Sequence, residues 1–96
     1  MTGLSQKEIL KELQQIPGIG KSISLDLWNI GIRKISDLKG KNPALLYKRS
    51  NKLAGIIQDA CLLYTFRCAV YYATEKKLEK EKLKWWYWKN KTYNES

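Results

Sequence analysis

The stretch Ile16-Pro17-Gly18-Ile19-Gly20-Lys21-Ser22 decides the fold of this chain. Helical periodicity leads into it over residues 4–15 and leaves it over residues 21–29. Pro17 stops the first helix, because its ring clashes with the preceding turn and it has no N–H to donate. Gly18 and Gly20 can take positive φ at little steric cost, so a hairpin can close in few residues. The second helix then starts just past Gly20, with its first N–H groups unpaired and pointing outward. Those donors, the positive end of the helix dipole and the Lys21 cation converge on one spot. Such a spot suits an anion, most naturally a phosphate. The spacing is not that of a P-loop, which needs a longer glycine-rich run after a strand. The competing reading is a tight turn that packs two helices and binds nothing.

Working outward, Ser5-Gln6-Lys7-Glu8 fits a capping box at the start of the first helix. Ile9, Leu10, Leu13 and Ile16 follow at helical spacing and are expected in the core. Beyond the hairpin, Ile23, Leu27 and Ile30 form one stripe, widened by Leu25 and Trp28, and Gly31 is a natural C-terminal cap. Ile35-Ser36-Asp37-Leu38 reads as a short connector helix. Asn42 and Pro43 start another helix, as N-cap and first helical residue. Leu45, Leu46 and Leu53, with Tyr47 beside them, are its apolar positions.

An internal repeat appears at an offset of 37 residues. It sets Ile16, Gly18 and Ile19 on Leu53, Gly55 and Ile56. Leu53-Ala54-Gly55-Ile56-Ile57 then reads as a second, degenerate hairpin, in which Ala54 and Ile57 replace Pro17 and Gly20. Two hairpins on one face would grip two phosphates, one on each strand. The alternative is chance similarity between two helix pairs.

Residues 59–74 form the most apolar helical pattern, through Leu62, Leu63, Phe66, Ala69, Val70 and Ala73. A helix apolar nearly all round is buried or lies in an interface. Arg67 interrupts it and needs a partner if buried, with Asp59 and Asp26 as candidates. Cys61 and Cys68 fall on one face about two turns apart, roughly 10 Å. That exceeds the roughly 7 Å that a disulfide tolerates between Cα atoms. Both are expected reduced, in the core and unreactive. Residues 75–84 alternate Lys and Glu and suit continuation of the helix. Trp85, Trp86 and Trp88 with Tyr87 are expected to pack back on the core, the alternatives being a dimer contact or stacking on bases. Residues 93–96 are expected to fray.

Composition narrows the function. The 96 residues, 44% hydrophobic, suit one domain with one modest core. The net charge of +9 points to a polyanion partner. Residues 21–53 carry eight basic side chains, Lys21, Arg33, Lys34, Lys39, Lys41, Lys48, Arg49 and Lys52, against two acidic ones. Two thirds of the excess charge therefore lies between the two candidate hairpins. There is no histidine, no Cys-x-x-Cys pair and no paired carboxylate motif, so neither a metal, a cofactor nor an enzyme activity is expected. No apolar run is long enough for a membrane span, and residues 1–10 lack a signal peptide's apolar core. A cytoplasmic location is expected.

Ile-Pro-Gly-Ile-Gly-Lys between two helical patterns resembles a helix-hairpin-helix motif. That resemblance implies main-chain N–H groups on a DNA backbone phosphate, often with a monovalent cation at the hairpin, here residues 16–20. The stretch Tyr64-Thr65-Phe66-Arg67-Cys68-Ala69-Val70-Tyr71 and the tail Leu83-Lys84-Trp85-Trp86-Tyr87-Trp88-Lys89 are similar to a more specific group. This is the pathogenicity locus family of small helix-hairpin-helix proteins, some labelled as mitomycin-resistance proteins. The resemblance covers roughly residues 10–90. It implies a DNA-binding fold and no demonstrated catalysis.

The expected architecture is all-α: a tandem helix-hairpin-helix (SAM-like) domain over residues 1–74 with a connector helix. A basic, Trp-rich helical extension over residues 75–96 packs on the same domain. The expected function is sequence-independent binding of double-stranded DNA. Gly18, Ile19, Gly20, Lys21 and Ser22, with Lys52, Gly55 and Ile56 at the second hairpin, are the candidate nucleic-acid-binding residues. The competing class is a protein-interaction or homo-oligomerisation module built on residues 64–72 and the Trp cluster.

Overall fold

Ser5 and Glu8 close a reciprocal cap on α1 (Gln6–Leu13). The Ser5 hydroxyl accepts from the Glu8 N–H at 3.2 Å, and the Glu8 carboxylate accepts from the Ser5 N–H at 3.1 Å. The computed structural model describes residues 5–95. The expected start of the first helical pattern at Leu4 and the frayed end at Ser96 lie outside them.

Ile9 and Leu13 of α1 are buried, with Ile16 just beyond its end. The chain tightens there: Gln15 and Ile16 donate to the carbonyls of Glu12 and Leu13, three residues back. A residue before proline is pushed out of the helical region, which ends α1 short of Pro17. α2 (Lys21–Asn29) packs on α1 through fully buried Leu27 and Ser24. The Ser24 hydroxyl accepts from the Gln14 amide at 3.3 Å and donates to the Lys21 carbonyl at 2.8 Å. Gly31, at φ +96°, ends α2 in a Schellman motif, with the N–H of Ile32 on the Leu27 carbonyl and that of Gly31 on the Trp28 carbonyl.

The connector is a single 3-10 helix, Ile35–Leu38, started by the Asp37 carboxylate, which accepts from the N–H groups of Arg33 and Lys34. α3 (Pro43–Ala54) begins with Pro43 in its first turn and the Asn42 side chain on the N–H groups of Ala44 and Leu45. It ends at Gly55, φ +74°. α4 (Ala60–Thr74) is capped by Asp59, whose carboxylate accepts from the Cys61 N–H at 2.8 Å. Residues 65–71 of α4 are buried without a break. α3, the connector and the C-terminal segment all pack on it, so it is the centre of an all-helical fold, as an apolar helix must be.

Several expectations fail. Leu25, Leu45 and Leu53 are exposed. α3 buries Pro43, Leu46 and Ser50, and Leu45 lies off that stripe. Leu53 shares the stripe, but residues 52–57 are all exposed, so the last turn of α3 extends past the core. α4 does not continue through residues 75–84. It stops at Thr74, and the chain folds back through two 3-10 helices, Lys80–Leu83 and Trp85–Asn90. The Tyr71 hydroxyl accepts from the Glu79 N–H at 2.7 Å, and the Trp88 indole N–H donates to the Lys82 carbonyl at 2.9 Å. The fold-back buries Trp88 against Tyr71, with ring centres 5.4 Å apart. Burial of one large aromatic outweighs helical charge pairs worth about 0.2–0.5 kcal/mol each.

Arg67 is buried, and its partner is Glu95 rather than Asp59 or Asp26. The segment expected to fray from residue 93 is therefore anchored: Tyr93 is half-buried, and Asn94 donates to the carbonyls of Gly40 and Lys41. Cys68 is buried, but Cys61 is exposed. Cys61 sits in the first turn of α4, before the buried run begins. Among the described residues no helix is long and apolar enough to cross a membrane.

Candidate nucleic-acid interface

The two glycines of the first turn do different jobs. Gly18 holds φ +85°, and a side-chain carbon there would lie 3.6 Å from both Trp85 and Thr65. Gly18 thus makes the turn and faces the body of the protein. Gly20 departs from the expectation of positive φ: its backbone is extended, at φ −99° and ψ −165°. It is the N-cap of α2, no side chain caps that helix, and nothing lies within 4 Å of where its Cβ would be. The N-terminus of α2 is consequently open to solvent, with Lys21 and Ser22 exposed beside it. Ile19 does not join this donor set. Its side chain is buried and its N–H donates to the Ile16 carbonyl at 3.0 Å.

The second turn is built differently. The Gly55 N–H already donates to the carbonyls of Asn51 and Lys52. The N-terminus of α4 carries its own carboxylate, Asp59, whose pKa the Cys61 N–H holds below the ordinary value. Gln58 clamps the turn: its N–H donates to the Asn51 side chain at 3.0 Å, and its amide donates to Ser50 and Asn51 at 3.0 and 3.1 Å. Its carbonyl accepts from the Tyr47 hydroxyl. The residues paired by the 37-residue offset have opposite surroundings, since Ile19 is 4% exposed and Ile56 is 66% exposed. Ile57, at the position matching Gly20, is 87% exposed.

Gly18 of the first turn and Gln58 of the second line one groove, together with Ile23, Asp26, Leu62 and Trp85. Burial raises the Asp26 carboxyl above its ordinary pKa. The Cys61 thiol at the rim is raised too, mainly by its hydrogen bond with Asp59. The groove is lined by apolar side chains and two carboxylates, Asp26 and Asp59, and, among the described residues, by no basic side chain. All eight basic residues between Lys21 and Lys52 are exposed. The ion pairs among the described residues, Arg67–Glu95 and Lys82–Glu79, involve none of them. Lys39, Lys41 and Arg49 line a cleft of about 440 Å³ beside the connector. Arg33 stacks on Trp28, 3.6 Å from the ring centre. Among the described residues no group of three His, Cys, Asp or Glu side chains is placed to hold a metal ion.

Of the candidate residues, Gly18, Gly20, Lys21 and Ser22 gather at one helix end, while Lys52, Gly55 and Ile56 belong to the separate second turn. Trp85 under Gly18, and Gln58 as the clamp of the second turn, had no signal in the sequence. Both act through contacts between distant segments.

Helix type, turn and charge thus define a small all-helical protein with an open helix end beside Lys21 and further exposed cations elsewhere on its surface. The chain belongs to the family described as Pathogenicity locus, whose model matches residues 6–94. No curated protein and no solved structure matches it.

Proposed function

We propose that this protein is a tandem helix-hairpin-helix module that binds double-stranded DNA along its backbone, without sequence preference. The observation that carries the reading is the uncapped N-terminus of α2, exposed under the bare backbone of Gly20 and flanked by Lys21. A phosphate oxygen placed there accepts from the main-chain N–H groups of residues 20–23 and meets the helix dipole. Gly18 shapes the turn that presents these donors, and Ile19 anchors it in the core. Lys52 and the other exposed cations between the turns add attraction that depends on charge alone. Such contacts position a protein on DNA without reading bases.

The aromatic residues that would form a protein-interaction surface are largely packed inside the molecule. Phe66, Tyr71 and Trp88 are buried, Tyr64, Tyr72, Trp85 and Tyr87 are half-buried, and of the Trp cluster only Trp86 is exposed. This favours DNA over the interaction module. The test is a titration of unrelated duplexes across a range of salt concentrations. With about four phosphate contacts, log K should fall against log salt with a slope of about −3 to −4, equally for each duplex. Absence of duplex binding at low salt contradicts the reading.

A further inference from the structure

We infer that the turn between α3 and α4 is an apolar wedge that enters the minor groove of bound DNA and unstacks one base step. The inference rests on the DNA reading above and gives the second turn a role of its own.

Leu53, Ile56 and Ile57 are 61%, 66% and 87% exposed, three large apolar side chains within five residues. Single exposed apolar residues are ordinary, whereas a group of them at a protruding tip marks a contact surface. This tip is also held in shape. Gly55 turns the chain at φ +74°, and Gln58 ties its far side to Tyr47, Ser50 and Asn51. A tip ordered in advance loses little conformational freedom when it inserts.

Its neighbours select the occupant. Lys48, Arg49 and Lys52, in the last two turns of α3, are exposed and make no ion pair among the described residues. Apolar side chains set among free cations match duplex DNA, which offers phosphates along its edges and an apolar interior between stacked bases. Isoleucine and leucine wedges open base steps from the minor groove in this way. A bilayer is a poorer match. Even the three side chains Leu53, Ile56 and Ile57 together carry fewer carbons than one myristoyl chain, which by itself binds membranes only marginally. The turn is equally unsuited to grip a phosphate as the first one does, because the Gly55 N–H is engaged and Asp59 puts a carboxylate at the helix end. The two turns then divide the work: the first holds the backbone and the second opens the stack. Flexible pyrimidine–purine steps and mismatches, which unstack at little cost, should be preferred over stiff A-tracts.

The test uses a duplex with fluorophores at both ends and 2-aminopurine beside a central TA step. It compares wild type with the double variant Ile56→Ala/Ile57→Ala, whose changes lie at exposed positions and should leave the melting temperature unchanged. Wild type should shorten the end-to-end distance through a kink of about 20–90° and brighten 2-aminopurine. The double variant should bind with the same salt slope and lose both signals. A wild type that binds without bending or unstacking overturns the wedge and leaves the DNA reading intact, as does a double variant that bends DNA equally. No duplex binding by either protein overturns both. Capture of wild type, but not the variant, by phosphatidylglycerol vesicles in that case assigns the tip to a membrane.

Discussion

Arg67 and Glu95 meet inside the molecule across 28 residues of sequence, Nε to Oε2 at 2.6 Å and Nη2 to Oε1 at 3.0 Å. The third arm of the guanidinium, Nη1, donates to the Trp88 carbonyl at 2.9 Å. Arg67 thereby fastens the end of the chain and the Trp-bearing 3-10 helix to the middle of α4. Both side chains are nearly enclosed, so removal of the carboxylate strands a buried cation. Glu95→Ala should cost about 3–5 kcal/mol in urea denaturation. The double change Arg67→Met/Glu95→Leu should recover much of that, because it removes both charges and refills the space. A single variant that loses less than about 1 kcal/mol would show that the tail contributes little to the fold.

The two cysteines should label at very different rates. Cys61 is exposed and Cys68 is fully enclosed in α4. A thiol reagent should modify one residue, Cys61, in the native protein and reach Cys68 only on unfolding. The Cys61 reaction should be slower than that of a free thiol, since its hydrogen bond with Asp59 raises its pKa. Peptide mapping after labelling checks both points, and rapid double modification without denaturant would contradict the buried assignment.

Alkaline pH should weaken the fold before it affects most surface groups. Burial pushes the Cys68 thiol up to about 11, so the unfolded chain loses this proton first. Stability is complete below about pH 8.5, the free thiol value, and declines as pH rises toward 11. Tyr93 extends the decline, as burial and then its hydrogen bond with Glu75 raise its hydroxyl to about 12. Thermal melts between pH 7 and 11 should show this fall, and in Cys68→Ala its onset should move to higher pH. A melting temperature flat to pH 11 would contradict it.

Short-range chemistry was legible in the sequence. Ser5 with Glu8, Asn42 with Pro43, and Gly31 each settle a helix end within four residues, and the structure has all three. The buried run of α4 was legible because an apolar helix has nowhere else to go. Long-range choices were not. Nothing near Arg67 names Glu95, and the charge pattern of residues 75–84 favours a helix until the burial of Trp88 on Tyr71 overrides it. The candidate site was legible in place but not in detail. The sequence marks the start of α2, yet only the turn's geometry engages the Ile19 N–H, turns Gly18 toward Trp85 and leaves Gly20 extended.

Gly18 and Gly20 should therefore respond differently to an added methyl group. Gly18→Ala forces a side chain into positive φ and should cost about 1–3 kcal/mol. Gly20→Ala meets open space in an extended backbone, but alanine is a poorer N-cap than glycine, so the two effects offset and the change should stay within about 1 kcal/mol of wild type. Equal losses at the two positions would contradict the geometry of the first turn.

The most direct measurement pairs duplex affinity with melting temperature for Gly20→Asp. An aspartate at this N-cap accepts from the first N–H groups of α2 and should hold the melting temperature level or raise it. It also puts a negative charge where a phosphate would sit. Duplex affinity should fall by about tenfold or more, on the order of 1.4 kcal/mol, a larger loss than that of Lys21→Ala, which removes one exposed charge and reduces the salt slope by about one. A folded Gly20→Asp protein that binds duplex DNA as tightly as wild type would rule out the N-terminus of α2 as the phosphate site.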